Sequence, residues 1–148
     1  MAILAAIDGK KRSKRVATLA HDLAATYDDT LVALHVVPTE EYDAHKESLK
    51  ETDEFRDFSI DQEAASAERF AREFVQEAVD ELGDVTLESR GRVGDIPTEI
   101  LDEVEGIDPR YLVISGRRRS PTGKAVFGNT TQKILLNAEC PVVTSLDD

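Results

Sequence analysis

The sequence has few of the residues and patterns that mark membrane, redox and disulfide-linked proteins. Its 148 residues include one cysteine and no tryptophan, which excludes an intramolecular disulfide. No apolar run approaches the roughly 20 residues of a membrane-spanning helix, and the apolar start of the chain reaches Asp8 too soon for a secretory signal. We therefore expect a cytoplasmic protein without membrane contact, in which Cys140 is a small buried residue and not a reactive thiol.

Basic residues are also scarce. The chain has 18 Lys and Arg against 30 Asp and Glu, a net charge of -12. An acidic surface repels the phosphates of nucleic acids and anionic membranes, so neither is an expected partner, and the composition is halophile-like. Since 41% of the residues are hydrophobic, the chain can still form a packed core, and its length predicts one domain over residues 1–148.

Half of the basic residues fall in two short stretches. Residues 10–15 hold five of them and residues 117–124 hold four, whereas residues 39–109 carry 23 acids and only seven bases. Taken alone, each stretch is best interpreted as a solvated, charged surface. If the two stretches meet in the fold, they form one pocket for an anion.

Apolar runs of strand length alternate with segments of helical periodicity. The strand candidates are residues 2–7, 30–37, 111–114 and 140–144, with a weaker one at 85–87. The helical segments are residues 16–27 and 67–82, a third that Pro97 opens and Gly106 can close, and a fourth from about Asn129 to Ala138. Strict alternation predicts parallel strands joined by right-handed crossovers. The expected fold is a three-layer α/β/α sandwich with its ligand site at the carboxyl ends of the strands.

Residues 38–62 interrupt this pattern. They contain nine acids, three bases and only scattered apolar positions, and the segment is longer than the usual connection between a strand and a helix. We interpret it as an acidic insert after the second strand. It is either a lid over the strand ends or a disordered surface insert, and the composition favours the insert.

Two segments at the expected carboxyl ends of strands can carry ligand chemistry. Asp8 follows the first strand, where an acid either accepts hydrogen bonds from a ribose or a base or caps the next helix. Residues 115–131 are rich in glycine, hydroxyls and cations and lead into the fourth helix, so their backbone amides can hold phosphate. The alternative is a flexible turn with an ordinary helix cap.

Several well-known motifs are absent. Residues 115–131 are not a Walker A loop, because Lys124 is followed by Ala125 and not by Ser or Thr, and residues 91–94 are better interpreted as a turn than as a dinucleotide fingerprint. The three histidines show no spacing of metal ligands, and no Gly-x-Ser-x-Gly elbow occurs. We therefore predict no metal site and no enzyme activity.

Short landmarks along the whole chain resemble the universal stress protein family. They are Ala6-Ile7-Asp8-Gly9, Leu34-His35-Val36-Val37, Gly94-Asp95-Ile96-Pro97, Val113-Ile114-Ser115-Gly116, Phe127-Gly128-Asn129 and Ala138-Glu139-Cys140-Pro141-Val142-Val143. The resemblance implies a Rossmann-like fold of the adenine nucleotide alpha hydrolase type, with five parallel strands in the order 3-2-1-4-5. This order brings residues 10–15 and 117–124 to the same edge of the sheet.

The resemblance also implies a function: a stress-response module that binds an adenine nucleotide, ATP or AMP, at the carboxyl ends of strands 1 and 4. Mg is expected only if ATP is bound. By position, the adenine and ribose contacts transfer to Asp8 and Val36. The phosphate contacts transfer to Ser115, Gly116, Gly128, Asn129 and Thr130, and the basic stretch adds Arg117 and Arg119.

The nucleotide motif of the family, Gly-x-x-Gly-x9-Gly-Ser/Thr, is only partly present. Ser115 and Arg118 stand at its first two glycines, Gly128 keeps the third, and Asn129 stands at the final hydroxyl. An alternative is therefore a nucleotide-independent dimeric stress protein that acts through an unknown protein partner. The family pairs subunits through the last strand, here Pro141 to Ser145, which implies a homodimer. Slow ATP hydrolysis, or self-phosphorylation at Ser120 or Thr122, is also compatible with the resemblance.

Overall fold

A computed structural model describes residues 1–50, 60–117 and 128–147 of the chain. Within these residues, five parallel strands form one sheet in the order β3-β2-β1-β4-β5, which confirms the predicted α/β fold and strand order. The strands are β1 (Ala2–Ala6), β2 (Thr30–Val37), β3 (Leu87–Val93), β4 (Tyr111–Arg117) and β5 (Val142–Asp147). The helices are α1 (Ser13–Tyr27), α2 (Thr39–Lys50), α3 (Ile60–Ala78), α4 (Ile96–Ile107) and α5 (Asn129–Asn137).

Two hydrophobic clusters lie on opposite faces of the sheet. On one face, α1 and α3 pack against the strands through side chains such as Val16 and Val75. On the other face, α4 and α5 do so through side chains such as Ile100 and Ile134. The central strand β1 is therefore buried on both faces, which is why its sequence is almost continuously apolar. None of the described helices combines the length and the apolar character that a membrane span requires.

Strand β3 differs most from its prediction. The sequence favoured a strand at residues 85–87 and a turn at 91–94, but β3 begins at Leu87 and continues through Gly91 to Val93. The charged residues of β3 make it hard to recognise as a strand in the sequence. Arg90 and Arg92 lie on the face that α4 covers, and they form ion pairs with the buried Glu103 of α4 at 3.6 Å and 2.8 Å, respectively. Ion pairs replace the apolar pattern on this face of an edge strand, so the periodicity is lost.

Glycine at position 91 is required by the close contact between β3 and α3. A Cβ atom there would lie 2.0 Å from the Ala64 carbonyl oxygen and 2.5 Å from the Glu68 amide nitrogen. Both are backbone atoms of α3, so no rotation of a side chain could relieve the contact. Gly91 therefore sets how closely α3 approaches the sheet.

The segment predicted as an acidic insert at 38–62 is partly helical. Helix α2 follows Pro38 directly, and its Tyr42 is buried against Val37 and Ala67. The amide of Tyr42 donates to the Pro38 carbonyl at 3.0 Å. Residues 51–59 lie outside the described residues, so the choice between lid and disordered insert stays a prediction there. The burial of Tyr42 and a hydrogen bond from His45 Nδ1 to Glu63 Oε1 of α3 at 2.9 Å hold the acidic helix α2 against the body of the protein. The sequence pattern did not reveal either contact.

The second half of the chain shows smaller differences in element ends. Helix α4 continues past Gly106 to Ile107, and its C-cap residue Asp108 adopts a left-handed conformation with φ 46°. Strand β4 is longer than predicted and includes Ser115 and Gly116.

Cys140 is half-buried against the hydrophobic cluster under α4 and α5, and burial raises the pKa of its thiol. A thiol with a raised pKa is less reactive at neutral pH.

An ion-pair cluster closes the end of the sheet where β1 begins. The buried Asp29 accepts a hydrogen bond from Arg110 Nε at 2.7 Å and lies 3.3 Å from the amino terminus at Met1. The hydrogen bond from Arg110 is the main cause that lowers the pKa of Asp29. Burial opposes this effect, and the amino terminus adds to it. The cluster ties the start of β4 to the connection between α1 and β2.

The lowered pKa of Asp29 predicts an acid-sensitive part of the stability. Because the folded pKa lies below the unfolded value of about 3.9, the stabilisation is complete above that pH and is lost as the pH falls through the folded pKa. We expect Asp29→Asn to lower the urea midpoint at pH 7 and to lose less stability than the wild type below about pH 5. Asp22→Asn, on the exposed face of α1, is the control. Equal pH dependence in wild type and Asp29→Asn would contradict the assignment.

Candidate functional site

A cleft opens at the carboxyl ends of β1, β2 and β4. The chain passes from β1 to α1 on one face of the sheet and from β4 to α5 on the other, so the cleft lies where parallel sheets usually bind ligands. Its volume of about 390 Å³ lies within the range of about 300 to 1,000 Å³ typical of small-ligand sites. The lining residues are Ala6, Ile7, Asp8, Lys10, Arg12, Leu34, His35, Val36, Pro38, Glu41, Ile96, Ile100, Ile114, Ser115, Thr130, Thr131 and Ile134.

Asp8 organises the turn between β1 and α1. Its Oδ1 accepts the Lys10 amide at 2.8 Å and the hydroxyl of the fully buried Ser13, and its Oδ2 accepts Arg12 Nε at 2.7 Å. Gly9 follows with φ +80°, a conformation that favours glycine. Asp8 thus shapes the turn before α1, whereas the N-cap of the helix is Arg12.

The carboxylate of Asp8 is held in its charged form. Burial alone would raise its pKa, but the hydrogen bonds from Ser13, the Lys10 amide and Arg12, together with the charge of Arg12, lower it. An ionised carboxylate has about four acceptor positions, and three are occupied by this turn. One acceptor position on Oδ2 remains for a ligand in the cleft.

The rim of the cleft contains groups suited to an anion. Lys10 lines the cleft, and within the described residues its ammonium group has no acidic partner. On the opposite side, α5 begins at Asn129 after the N-cap Gly128, so its first free amides lie beside Thr130. The free amides and the dipole at a helix start attract negative charge. Thr131 contributes structurally, because its hydroxyl donates to the Ser115 carbonyl at 3.3 Å and joins α5 to β4.

Aliphatic side chains form the floor of the cleft. They come from β1, β2 and β4 and from the first turns of α4, and they include Ala6, Val36, Ile96, Ile100 and Ile114. A flat, uncharged ring can pack against such a floor, while polar groups fix its orientation. The cleft therefore suits a ligand with one apolar planar part and one anionic part.

His35 stands at the edge of the cleft and has a structural hydrogen bond. Its Nδ1 donates to the Ile7 carbonyl at 2.7 Å, and its ring lies 4.5 Å from that of Phe70. These contacts give His35 a structural role at the edge of the cleft. Across residues 1–50, 60–117 and 128–147, no three His, Cys, Asp or Glu side chains form a group that could hold a metal ion.

Comparison with known proteins gives the family. A sequence profile described as the universal stress protein family matches residues 1–145. The chain belongs to the universal stress protein family. A search of curated proteins found no significant match. The family assignment therefore rests on the sequence profile.

Solved universal stress proteins share the fold. UspA from Lactobacillus plantarum is 22% identical, with 98% of this chain and 97% of that chain covered and a TM-score of 0.70. The universal stress protein from Archaeoglobus fulgidus in complex with dAMP is 17% identical, with 97% of this chain and 96% of that chain covered and a TM-score of 0.59. A universal stress protein family protein from Arabidopsis thaliana with AMP bound is 17% identical, with 100% of this chain and 92% of that chain covered and a TM-score of 0.59.

In this universal stress protein, some of the sequence-predicted site residues meet in the cleft and others lie beside it. Asp8, Val36, Ser115 and Thr130 line it. Gly116 is buried in β4, where a Cβ would lie 3.1 Å from Leu146. Gly128 and Asn129 begin α5 at the rim but are not among the lining residues. The side chain of Arg117, and all of Arg119 and Lys124, fall outside the described residues.

Sequence reasoning missed one charged residue of the cleft, Glu41. It lies in the first turn of α2, a segment that the composition had assigned to the insert. Pro38 followed by Thr39-Glu40-Glu41 is a helix-start signal, and it lies directly after a strand that ends at the site. That combination could have placed an acid at the cleft.

Proposed function

We propose that this universal stress protein binds an adenine nucleotide in the cleft at the carboxyl ends of β1 and β4. The observation that carries the proposal is the polarity of the cleft: an aliphatic floor lies between the free Lys10 on one side and the start of α5 on the other. The relatives with dAMP and AMP bound share the fold, which supports the same ligand class here.

The binding residues are proposed as follows. The base packs on Val36 and the aliphatic floor, and the remaining acceptor of Asp8 receives a hydrogen bond from the base or the ribose. The phosphates lie at the start of α5, with Ser115, Gly116, Gly128, Asn129 and Thr130 on one side and Lys10 on the other. Arg117 is the last residue of β4 and Arg119 follows two residues later in the chain. We propose that both add positive charge for the phosphates.

We propose a binding module and no catalysed reaction. Mg²⁺ would accompany ATP only, because the second and third phosphates supply its oxygen ligands and the protein need not provide a dedicated set. Ser120 and Thr122, where self-phosphorylation would occur, lie outside the described residues. A cytoplasmic location belongs to the same proposal.

Calorimetric titration of the purified protein tests the proposal. We expect saturable binding of AMP, or of ATP with Mg²⁺, at one site per chain. Because Lys10 and the basic rim contribute, affinity should fall as salt concentration rises. Absence of binding by both nucleotides at low salt would overturn the nucleotide-binding function.

The second candidate is a nucleotide-independent dimer that acts through protein interaction. The observation favouring it is strand β5, which lies at the edge of the described sheet with Val142, Val143 and Leu146 only half-buried. An open edge strand of this kind commonly pairs with another chain. Light scattering separates the candidates: a dimer that forms without nucleotide, in a protein that binds neither AMP nor ATP, favours this one.

A further inference from the structure

An exposed aromatic side chain lies next to the basic stretch that follows β1, outside the cleft. Phe70 of α3 is 39% exposed, and its ring packs at Gly9, where an added Cβ would lie 2.8 Å from Phe70 Cζ. The chain continues from Gly9 into the exposed cations Lys11, Lys14 and Arg15. The basic-aromatic surface is defined by Phe70 and these three cations. None of the four lines the cleft, so a ligand in the cleft does not account for them.

The three cations are unfavourable for helix α1. They lie just before α1 or in its first turn, where the helix dipole disfavours positive charge. The first turn contains no acid. Within the part of the chain that the structure describes, Lys11, Lys14 and Arg15 have no acidic partner, whereas the neighbouring Arg12 pairs with Asp8 at 2.7 Å. Residues that oppose the local preference of their own helix are typical of functional sites.

Phe70 is held in place as an apolar anchor. Besides its contact with Gly9, its ring lies 4.5 Å from the ring of His35 and 6.0 Å from the ring of Phe74. The close packing at Gly91 fixes α3 itself against the sheet. Because the ring is already fixed, covering its exposed part costs little side-chain entropy. Aromatic side chains are enriched where proteins bind one another.

The charges around Phe70 indicate the class of partner. The three cations attract carboxylates, and the exposed ring favours one apolar side chain among them. Nucleic acid fits less well, because residues 39–109 carry 23 acids against seven bases and repel a long row of phosphates. Single-strand binding also uses successive stacked rings, whereas Phe70 is the one exposed phenylalanine among the described residues.

We propose that the basic-aromatic surface docks a short acidic segment of a partner protein, with carboxylates on the three cations and one apolar side chain on Phe70. A helix with its side chains is about 10–12 Å across, a span that about four residues of an extended peptide cover. The inference goes beyond the proposed nucleotide binding and does not depend on it. It gives the unknown protein partner a docking surface and a chemical class.

The test measures fluorescence anisotropy of two labelled peptides, Glu-Asp-Phe-Glu-Asp-Glu and the same peptide with Ser in place of Phe. We expect saturable binding of the Phe peptide by the wild type, about fivefold or more tighter than binding of the Ser peptide. The affinity should fall as salt concentration rises. Lys14→Glu replaces an attraction by a repulsion and should weaken binding of the Phe peptide about three- to tenfold. Lys133→Glu makes the same change at an exposed position of α5 and should leave the affinity unchanged.

Two further measurements separate docking from a structural role. Lys14→Glu places an acid at the start of a helix, so its thermal midpoint should stay the same or rise by about 2 °C while its peptide affinity falls. Phe70→Ala should lose the preference for the Phe peptide and keep the wild-type affinity for the Ser peptide. Circular dichroism checks that this variant is folded, and the two peptides test the same contact on the wild type without any substitution.

Several results would overturn the proposal. One is the absence of saturable binding of the Phe peptide at low salt, and another is equal affinity of the wild type for the two peptides. An equal loss in Lys14→Glu and Lys133→Glu would reduce the effect to net charge. An equal loss of both peptides in folded Phe70→Ala would remove its role as an anchor. Tighter binding of a six-nucleotide thymidine strand than of the Phe peptide would make the surface a nucleic-acid site instead.

Discussion

Gly91→Ala is expected to destabilise the protein by about 3 kcal/mol, near the upper end of overpacking costs. The added Cβ would lie 2.0 Å from the Ala64 carbonyl oxygen and 2.5 Å from the Glu68 amide nitrogen of α3. Relief requires α3 to move away from the sheet, which weakens the packing of Ala67 and Ala71 in the core. For a chain of this size the thermal midpoint should fall by about 10 °C. Urea and thermal unfolding followed by circular dichroism measure the effect.

Gly106→Ala provides the matched control. It makes the same change in α4, where an added Cβ meets no atom within 4 Å, and alanine is favoured over glycine in a helix by about 0.5 to 1 kcal/mol. We expect unchanged or slightly higher stability. A Gly91→Ala variant as stable as the wild type would show that the contact between α3 and β3 is not as close as described.

Asp8→Ala is expected to weaken nucleotide binding about 10- to 100-fold. The substitution removes the acceptor for the Lys10 amide, the Ser13 hydroxyl and Arg12 Nε, and hydrogen bonds to charged groups each contribute about 1.5 to 3 kcal/mol. The turn that presents Lys10 and Arg12 then loses its fixed shape, and the acceptor position for the ligand is lost as well. Calorimetric titration with AMP measures the change, where about 1.4 kcal/mol corresponds to a factor of ten.

The control for this experiment is Asp22→Ala, which removes an equal charge from the exposed face of α1. Its affinity for AMP should equal that of the wild type. Circular dichroism should show that Asp8→Ala keeps its secondary structure, because Asp8 lies outside both main hydrophobic clusters. Unchanged AMP affinity in folded Asp8→Ala would mean that the turn after β1 does not form the binding site.

The fold was predictable where burial on both faces controls the sequence. The apolar runs of β1 and β2, and the periodicity of α1, follow directly from their contacts with the core. Strand β3 was poorly predicted because Arg90 and Arg92 satisfy their charges on Glu103 of α4, a contact between residues distant in sequence. A local pattern cannot indicate that two charged strand residues will meet a buried carboxylate.

The residues of the candidate site that lie at the ends of strands could be predicted from the sequence. Asp8 and Thr130 were named because they follow β1 and begin α5, and parallel strands bring such residues together. Sequence left open whether Asp8 caps or binds; the three hydrogen bonds it accepts show that it shapes the turn. Glu41 was missed because its position depends on the burial of Tyr42 and on the contact of His45 with Glu63.

The most direct test of the account is a map of backbone amide shifts by nuclear magnetic resonance as AMP is added to labelled protein. We predict that the largest shifts occur in residues 6–13, at the end of β2 through Glu41, and at Ser115 and Thr130, which all lie around the cleft. Residues near Asp29 and Arg110, at the opposite end of the sheet, should not change. Shifts confined to β5, or no shifts at saturating AMP, would contradict the claim that this cleft holds the nucleotide.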